Sequence, residues 1–430
     1  MERTALILLG SSELRINWTR ERTNAVPHQN IVFYELLKQI PWKVVDRLVD
    51  EHNADPDPRG LKTRGHLIAM LYGQLCGARG LREIEASLRS HADKLYHLGA
   101  CTVSRSALST ANAERPFQVF ADLLSALMAQ LQRGCRRKIG DCVRLIDSTS
   151  VQLSGLSGDW ATFSAGVCGA KAHIVYDPDA DQPRYLMVTA AKVNDITIAK
   201  EMPIEPGATY IFDLGYYDYG WWARLHQAGC RLVTRLKDNT PFAVAEDRPV
   251  PAGSSILSDR FGYLPKRLAA SRHNPMSDLV REVRVLTDTG KTLRIFTNDL
   301  TASAQEIADL YKRRWAIELF FRWVKQVLQL HHFFGSSENA VRIQIIVALI
   351  TFLLLRLAHR VNTIVKSPLV FARLIQANLM QRRAIVELLQ APLSPRAGPQ
   401  QIAFEFGAYA TRAAQRRRTV RASVQMLEAA

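Results

Sequence analysis

The hydrophobic pattern of this chain changes period at Val143, and that change limits the folds open to it. Up to about Gln132 the apolar residues recur at helical spacing: Val32, Leu36, Leu37 and Ile40, then Val44, Val45, Leu48 and Val49. From Val143 onward the apolar runs are short and strand-like, at 143–147, 171–176, 184–189, 210–213 and 231–236, with helix-compatible stretches at 196–201 and 218–228. The order of elements predicts an α/β unit preceded by a helical one.

Helices are predicted over 63–76, 80–90, 104–114 and 116–131, after a break at Asn53-Ala-Asp-Pro-Asp-Pro58. Asp177-Pro178-Asp179 makes a turn between the second and third strands, and Asn194-Asp195 is placed to cap the helix that follows. Residues 237–298 carry Pro and Gly breaks and end in a hairpin around Asp288-Thr-Gly290. A long amphipathic helix is predicted over 303–330, an apolar one near 343–360, and a basic helical tail with Arg412, Arg416, Arg417, Arg418 and Arg421. The division expected is a helical N-terminal domain (28–135), a catalytic core in two pieces (136–236 and 299–365), a β-rich insertion (237–298) and a basic C-terminal region (366–430), with an irregular arm over 1–27.

Composition narrows the function. Lys and Arg number 56 against 40 Asp and Glu, a formal net charge of +16, which attracts polyanions such as nucleic acid. With 47% apolar residues there is enough material for a core. Six dispersed cysteines without a Cys-x2-Cys pair argue against a disulfide scaffold or zinc ribbon and suit a reducing compartment. The apolar run 343–355 is interrupted by Gln344 and Thr351 and reads as a buried helix, so no membrane span is expected. The apolar stretch 4–10 is too short for a signal peptide, and the expectation is a soluble, cytoplasmic protein.

Three acids stand where chemistry is usual. Asp147 ends the first predicted strand and Asp213 the fourth, at the carboxyl ends where α/β folds bind ligands; a turn-forming role explains either one alone. On the long helix, Tyr311, Arg314, Glu318 and Lys325 fall within an arc of roughly 60° along a line of about 20 Å. A solvated face with an i,i+4 Arg–Glu pair is the competing explanation. Taken together, three hard carboxylates suit Mg²⁺ or Mn²⁺, in a pair about 3.5–4 Å apart, with Arg314 and Lys325 holding phosphates.

The pattern Tyr-x2-Arg-x3-Glu-x6-Lys formed by Tyr311, Arg314, Glu318 and Lys325 resembles the signature of bacterial insertion-sequence transposases of the DDE class, the insertion-sequence-four family. Leu145-Ile-Asp147-Ser-Thr149 and Phe212-Asp213-Leu-Gly-Tyr216 resemble the strings around that family's first two acids. The resemblance spans about residues 28 to 365. It implies an RNase H-like catalytic core with a β-strand insertion, preceded by an α-helical domain. It implies a catalytic, metal-binding triad of Asp147, Asp213 and Glu318 with two Mg²⁺ (or Mn²⁺) ions, and DNA contacts from Tyr311, Arg314 and Lys325. The implied activity is cut-and-paste transposition. The partners are double-stranded DNA, as terminal inverted repeats and target, and a second copy of the chain in the synaptic complex, in the cytoplasm at the nucleoid. Where a hairpin forms, Trp221, Trp222, Trp315 and Trp323 are the candidates to stack a flipped base.

In the helical region, 81–85 and 103–109 have the look of a helix-turn-helix, with Ser104 capping and Arg105, Ser106, Ser109 and Asn112 toward a groove; a dimerisation bundle is the alternative. The same acids are also compatible with a metal-dependent nuclease that does not transfer strands, or with a catalytically silent DNA-binding protein derived from a transposase. His331-His332 lacks a carboxylate at metal-ligand spacing. Lys171 and His173 are assigned structural roles.

Overall fold

The computed structural model describes residues 31–390 apart from 58, 133–137, 165, 270–271, 329–331 and 363. The arm over 1–27 and the basic tail lie outside the described residues. The chain up to Val386 forms one compact unit; of the second, which starts at Glu387, residues 387–390 are described.

The first part is helical: α1 (Val32–Leu37), α2 (Trp42–Glu51), α3 (Thr63–Cys76), α4 (Leu81–Ser90), α5 (Ala92–Leu95), α6 (Arg105–Glu114) and α7 (Gln118–Gln132). Helix α3 is buried on nearly every side and ends at Gly77, whose φ of 70° is the left-handed conformation a helix stop requires. Ser104 caps α6 by accepting the Ala107 N–H. Helices α4 and α6, separated in the chain by α5 and a 3-10 turn, pack against one another. Asn112 is buried and bonded to His66 at 2.8 Å, so it does not face a groove.

The sheet begins with β1 (Val143–Leu153), β2 (Thr162–Ser164), β3 (Val167–Asp177) and β4 (Gln182–Ala190), with the short α8 (Gly158–Ala161) between β1 and β2. Next come α9 (Asp195–Ala199), β5 (Thr209–Ile211), α10 (Tyr219–Gln227) and β6 (Arg231–Arg235). Strand β3 lies antiparallel between β1 and β4, while β5 runs parallel to β1 and β6 parallel to β5. Three antiparallel strands followed by two parallel ones, with the first strand in the middle, is the RNase H-like arrangement. The chain leaves β1 in one direction for β3 and β4 and returns on its other side at β5, which opens a crevice there. On one face Ile146, Val175, Phe212, Tyr216, Trp221 and Trp222 form a core. On the other, Val151, Ala170, Ala172 and Val188 pack with Val341 and Ile345.

The remaining strands are β7 (Ala243–Arg248), β8 (Ile256–Tyr263), β9 (Arg267–Ala269), β10 (Arg272–His273), β11 (Val280–Leu286) and β12 (Thr292–Thr297). The expected hairpin is β11–β12, and β12 pairs with β6 through Ile295 opposite Arg235. Four of the inserted strands therefore continue the catalytic sheet, in the order β6-β12-β11-β8-β7, while β9 and β10 pair as a small sheet of their own.

The last helices are α11 (Ala304–Lys312), α12 (Trp315–Val327), α13 (Glu338–Val361), α14 (Pro368–Ala377) and α15 (Ile385–Gln390). Helix α13 is, by length and composition, long and apolar enough to cross a membrane, but 83% of its most apolar window is buried among α3, α6, α7 and the sheet, as the reading of 343–355 as a buried helix expects. Its two interrupting polar residues are satisfied. Gln344 ties down the loop before the helix, donating to the His332 carbonyl and accepting the Phe334 N–H, and Thr351 donates to the Val347 carbonyl.

Candidate active site

Asp147 does not end its strand. Strand β1 runs on to Leu153, and Asp147 sits within it opposite Ile174. The run from Ser148 to Gln152, polar except for Val151, stays extended because its backbone is paired with β3 along its length. The Asp147 Oδ1 accepts the Ser148 N–H at 2.8 Å. Burial, with Asp213 and Glu318 facing it, pushes this carboxyl up to about 7 against the pull of the Ser148 N–H and Arg314.

Asp213 lies just beyond β5, which ends at Ile211, and opens a 3-10 turn over Leu214–Tyr216. Its Oδ1 accepts the Gly215 N–H at 2.8 Å, which orients the carboxylate. A Cβ at Gly215 would stand 3.0 Å from that oxygen, so a side chain there would press on the carboxylate and shift it.

The third acid comes from the signature helix, which is not continuous. Helix α11 stops at Lys312 and α12 starts at Trp315. Between them the Arg314, Ala316 and Ile317 N–H groups bond three residues back, a 3-10 tightening that periodicity alone does not show. The Arg314 guanidinium lies 2.5 Å from Glu318 Oε1 and 3.9 Å from Asp147 Oδ2, and it covers the Tyr311 ring at 5.9 Å. Tyr311 is buried, which raises its phenol, with Arg314 and Arg235 beside it and Asp213 nearby.

Five of the expected residues thus share one crevice: Asp147, Asp213, Glu318, Arg314 and Tyr311. Lys325 lies farther along β1, where its ammonium donates to the Ser150 carbonyl at 2.9 Å. Arg105 and Ser106 are on the exposed face of α6. Among the described residues no three His, Cys, Asp or Glu side chains are arranged to hold one metal ion. What the crevice does hold is a set of mutually repelling hard-oxygen donors with one cation, Arg314, between two of them. That donor chemistry fits a divalent metal.

Trp221 and Trp222 are fully buried and cannot receive a base; the Trp222 indole stacks on Phe296 at 4.9 Å and donates to the Tyr216 carbonyl. Trp323 is packed against Phe352, whereas Trp315 is 51% exposed. Sequence reasoning missed a polar group behind β1. Asp195 does not cap α9; its carboxylate binds Ser148 and Lys171, and His173 stands beside it. The available signal was that Lys171 and His173 are two apart on one strand and so project from the same face.

An RNase H-like sheet with acids from β1, from the end of β5 and from a helix beyond an inserted sheet defines a phosphoryl-transfer enzyme of the DDE class. The profile of the family described as Transposase DDE domain matches residues 138–354, and that of a domain of unknown function, DUF4372, matches 28–101. The chain is 40% identical to y4zB of Sinorhizobium fredii, a protein assigned as a transposase, over 70% of this chain and 85% of that one. It is 29% identical to the transposase assigned to insertion sequence element IS5377 of Geobacillus stearothermophilus, over 63% and 71% of the two chains. Among solved structures it is similar to a piggyBac transposase in a synaptic complex with hairpin DNA, at a TM-score of 0.38 and 11% identity, covering 86% and 82%. The chain belongs to the insertion-sequence transposases with a DDE domain. It is a DNA transposase, a class of enzyme whose chemistry depends on divalent metal.

Proposed function

We propose that Asp147, Asp213 and Glu318 are the catalytic triad and hold a pair of Mg²⁺ (or Mn²⁺) ions. What supports this reading is that Arg314 lies against both Glu318 and Asp147, while Asp213 and Glu318 are near enough to Asp147 to raise its carboxyl. Bound metal supplies Lewis-acid stabilisation of phosphate charge and a more acidic nucleophile. Asp147 and Asp213 are pre-oriented by the N–H groups of Ser148 and Gly215, so little reorganisation precedes binding. Arg314 bridges Asp147 and Glu318 in this structure. With metal and DNA in place its planar fork turns to the phosphates, stacked on Tyr311, and Lys325 holds the backbone farther along β1.

The substrate is double-stranded DNA at the terminal inverted repeats of the element, then target DNA. Water is the nucleophile of the first cut and the freed 3′-hydroxyl that of the joining step, in a cut-and-paste reaction. The helical region (28–135) grips the ends, with Arg105 and Ser106 exposed for it. The core (136–236 and 299–365) carries the chemistry, supported by the insertion (237–298) and the basic region (366–430). The working form is a homodimer in the synaptic complex, acting at the nucleoid in the cytoplasm. Where a hairpin forms, the exposure of Trp315 next to Arg314 makes it the residue to stack the flipped base.

The test is cleavage of an end-containing duplex with and without Mg²⁺. Asp147→Asn, Asp213→Asn and Glu318→Gln are expected to abolish cutting and joining while retaining the DNA band shift. Metal-independent cutting, or an active Asp147→Asn, overturns the reading.

A further inference from the structure

Behind β1, one carboxylate binds the residue that orients Asp147 and stands near the residue that orients Asp213. Asp195 Oδ1 accepts the Ser148 hydroxyl at 2.8 Å and the Lys171 ammonium at 3.1 Å. Lys171 is itself anchored on the Val193 carbonyl at 3.0 Å. Asp195 Oδ2 accepts no hydrogen bond among the described residues and lies against Gly215: a Cβ there would be 3.4 Å from it and 3.0 Å from Asp213 Oδ1. Ser148 and Gly215 are the donors whose N–H groups hold Asp147 and Asp213. Asp195 therefore binds one local support and lies near the other.

Two buried polar groups face the same tie. His173 is fully buried, with Nδ1 unpartnered at 3.6 Å from Asp195 Oδ1 and Nε2 on the Thr189 hydroxyl. The Tyr216 hydroxyl is buried beside Ser148, facing Asp147, Asp195 and Asp213, without a well-formed hydrogen bond. Buried polar groups in native structures are nearly always hydrogen-bonded, so these two stand out. Lys171 balances Asp195, so the tie adds no net charge to the crowded acids.

We infer that Asp195 is a positioning residue that sets the spacing between the Asp147 and Asp213 carboxylates by holding Ser148 with one oxygen while the other stands near the Gly215 turn. The inference rests on the metal reading above. Outer partners of this kind govern metal affinity by about 10–100-fold.

The test follows free Mn²⁺ by electron paramagnetic resonance as the full chain is titrated. Asp195→Asn is expected to weaken Mn²⁺ binding about 10–100-fold, and raised Mn²⁺ restores its end cleavage toward the wild-type rate: the metal midpoint moves, kcat does not. Wild-type Mn²⁺ affinity in folded Asp195→Asn overturns the inference, as does a kcat loss that no Mn²⁺ concentration restores. If circular dichroism shows that variant unfolded, Ser148→Ala cuts the same tie from the other end. It must weaken Mn²⁺ binding; unchanged affinity overturns the inference. Asp147→Asn separates the two levels. Unaltered Mn²⁺ binding there removes the metal reading itself, whereas loss there with none in Asp195→Asn removes only the role of Asp195.

Discussion

Arg314 is the residue on which the charge balance of the crevice turns. Its guanidinium neutralises Glu318 and faces Asp147, so its removal leaves the acids less compensated and more receptive to cations. Arg314→Ala is expected to bind Mn²⁺ at least as tightly as the parent while losing about 10²–10³ in cleavage rate, because a phosphate-directed donor is lost. Calorimetric Mn²⁺ titration beside a single-turnover cleavage assay checks both halves. Trp222 illustrates the opposite kind of residue. It was a stacking candidate by type alone, yet it is core, against Phe296, Tyr219 and Tyr217. Trp222→Ala is expected to cost about 3–5 kcal/mol of stability, measured by denaturant unfolding, as other large core truncations do.

Element-level behaviour follows from the polar ties between helices. In the helical region, His66 on α3 is fully buried, bonded to Asn112 on α6, with Phe120 edge-on and Arg115 nearby. Burial first, then Arg115, lowers its pKa from 6.5 to about 3. The native state therefore keeps it neutral while the unfolded chain takes a proton below pH 6.5. Its stabilising contribution is intact above that value and is lost as pH falls toward 3, at about 1.4 kcal/mol per pH unit. The melting temperature is expected to fall steeply between pH 6 and 4, and His66→Gln, which keeps a polar partner for Asn112, to flatten that slope. Differential scanning calorimetry across the range reads both. The signature helix teaches a related lesson. The i, i+3, i+7 pattern of Tyr311, Arg314 and Glu318 was legible, but the 3-10 tightening around Arg314 was not, since no Pro or Gly marks it.

For the molecule as a whole, the inserted strands are part of the load-carrying sheet. Strand β12 pairs with β6, Phe296 packs on Trp222, and the Asn298 side chain accepts the Leu232 N–H and donates to the Cys230 carbonyl. Excision of 237–298 is expected to unfold the catalytic sheet rather than yield a trimmed, folded core, which circular dichroism and limited proteolysis of the shortened chain would show. Helix α13 joins the layers in a similar way, packing on the sheet with Val341 and Ile345 and on α3, α6 and α7 elsewhere.

The sequence alone determined the change from helical to strand periodicity, the antiparallel hairpin at Val280–Thr297 and the three acids with their Tyr-Arg-Glu-Lys spacing, because period and spacing are local properties of a chain. Tertiary structure alone decided that Asp147 lies within a strand, that the insertion extends the sheet, that Trp221 and Trp222 are core, and that Asp195 binds Ser148 and lies near Gly215. Each of those depends on which distant backbone supplies the partner. Hydrogen-bond pairing and burial between remote segments leave no period in the chain to be read.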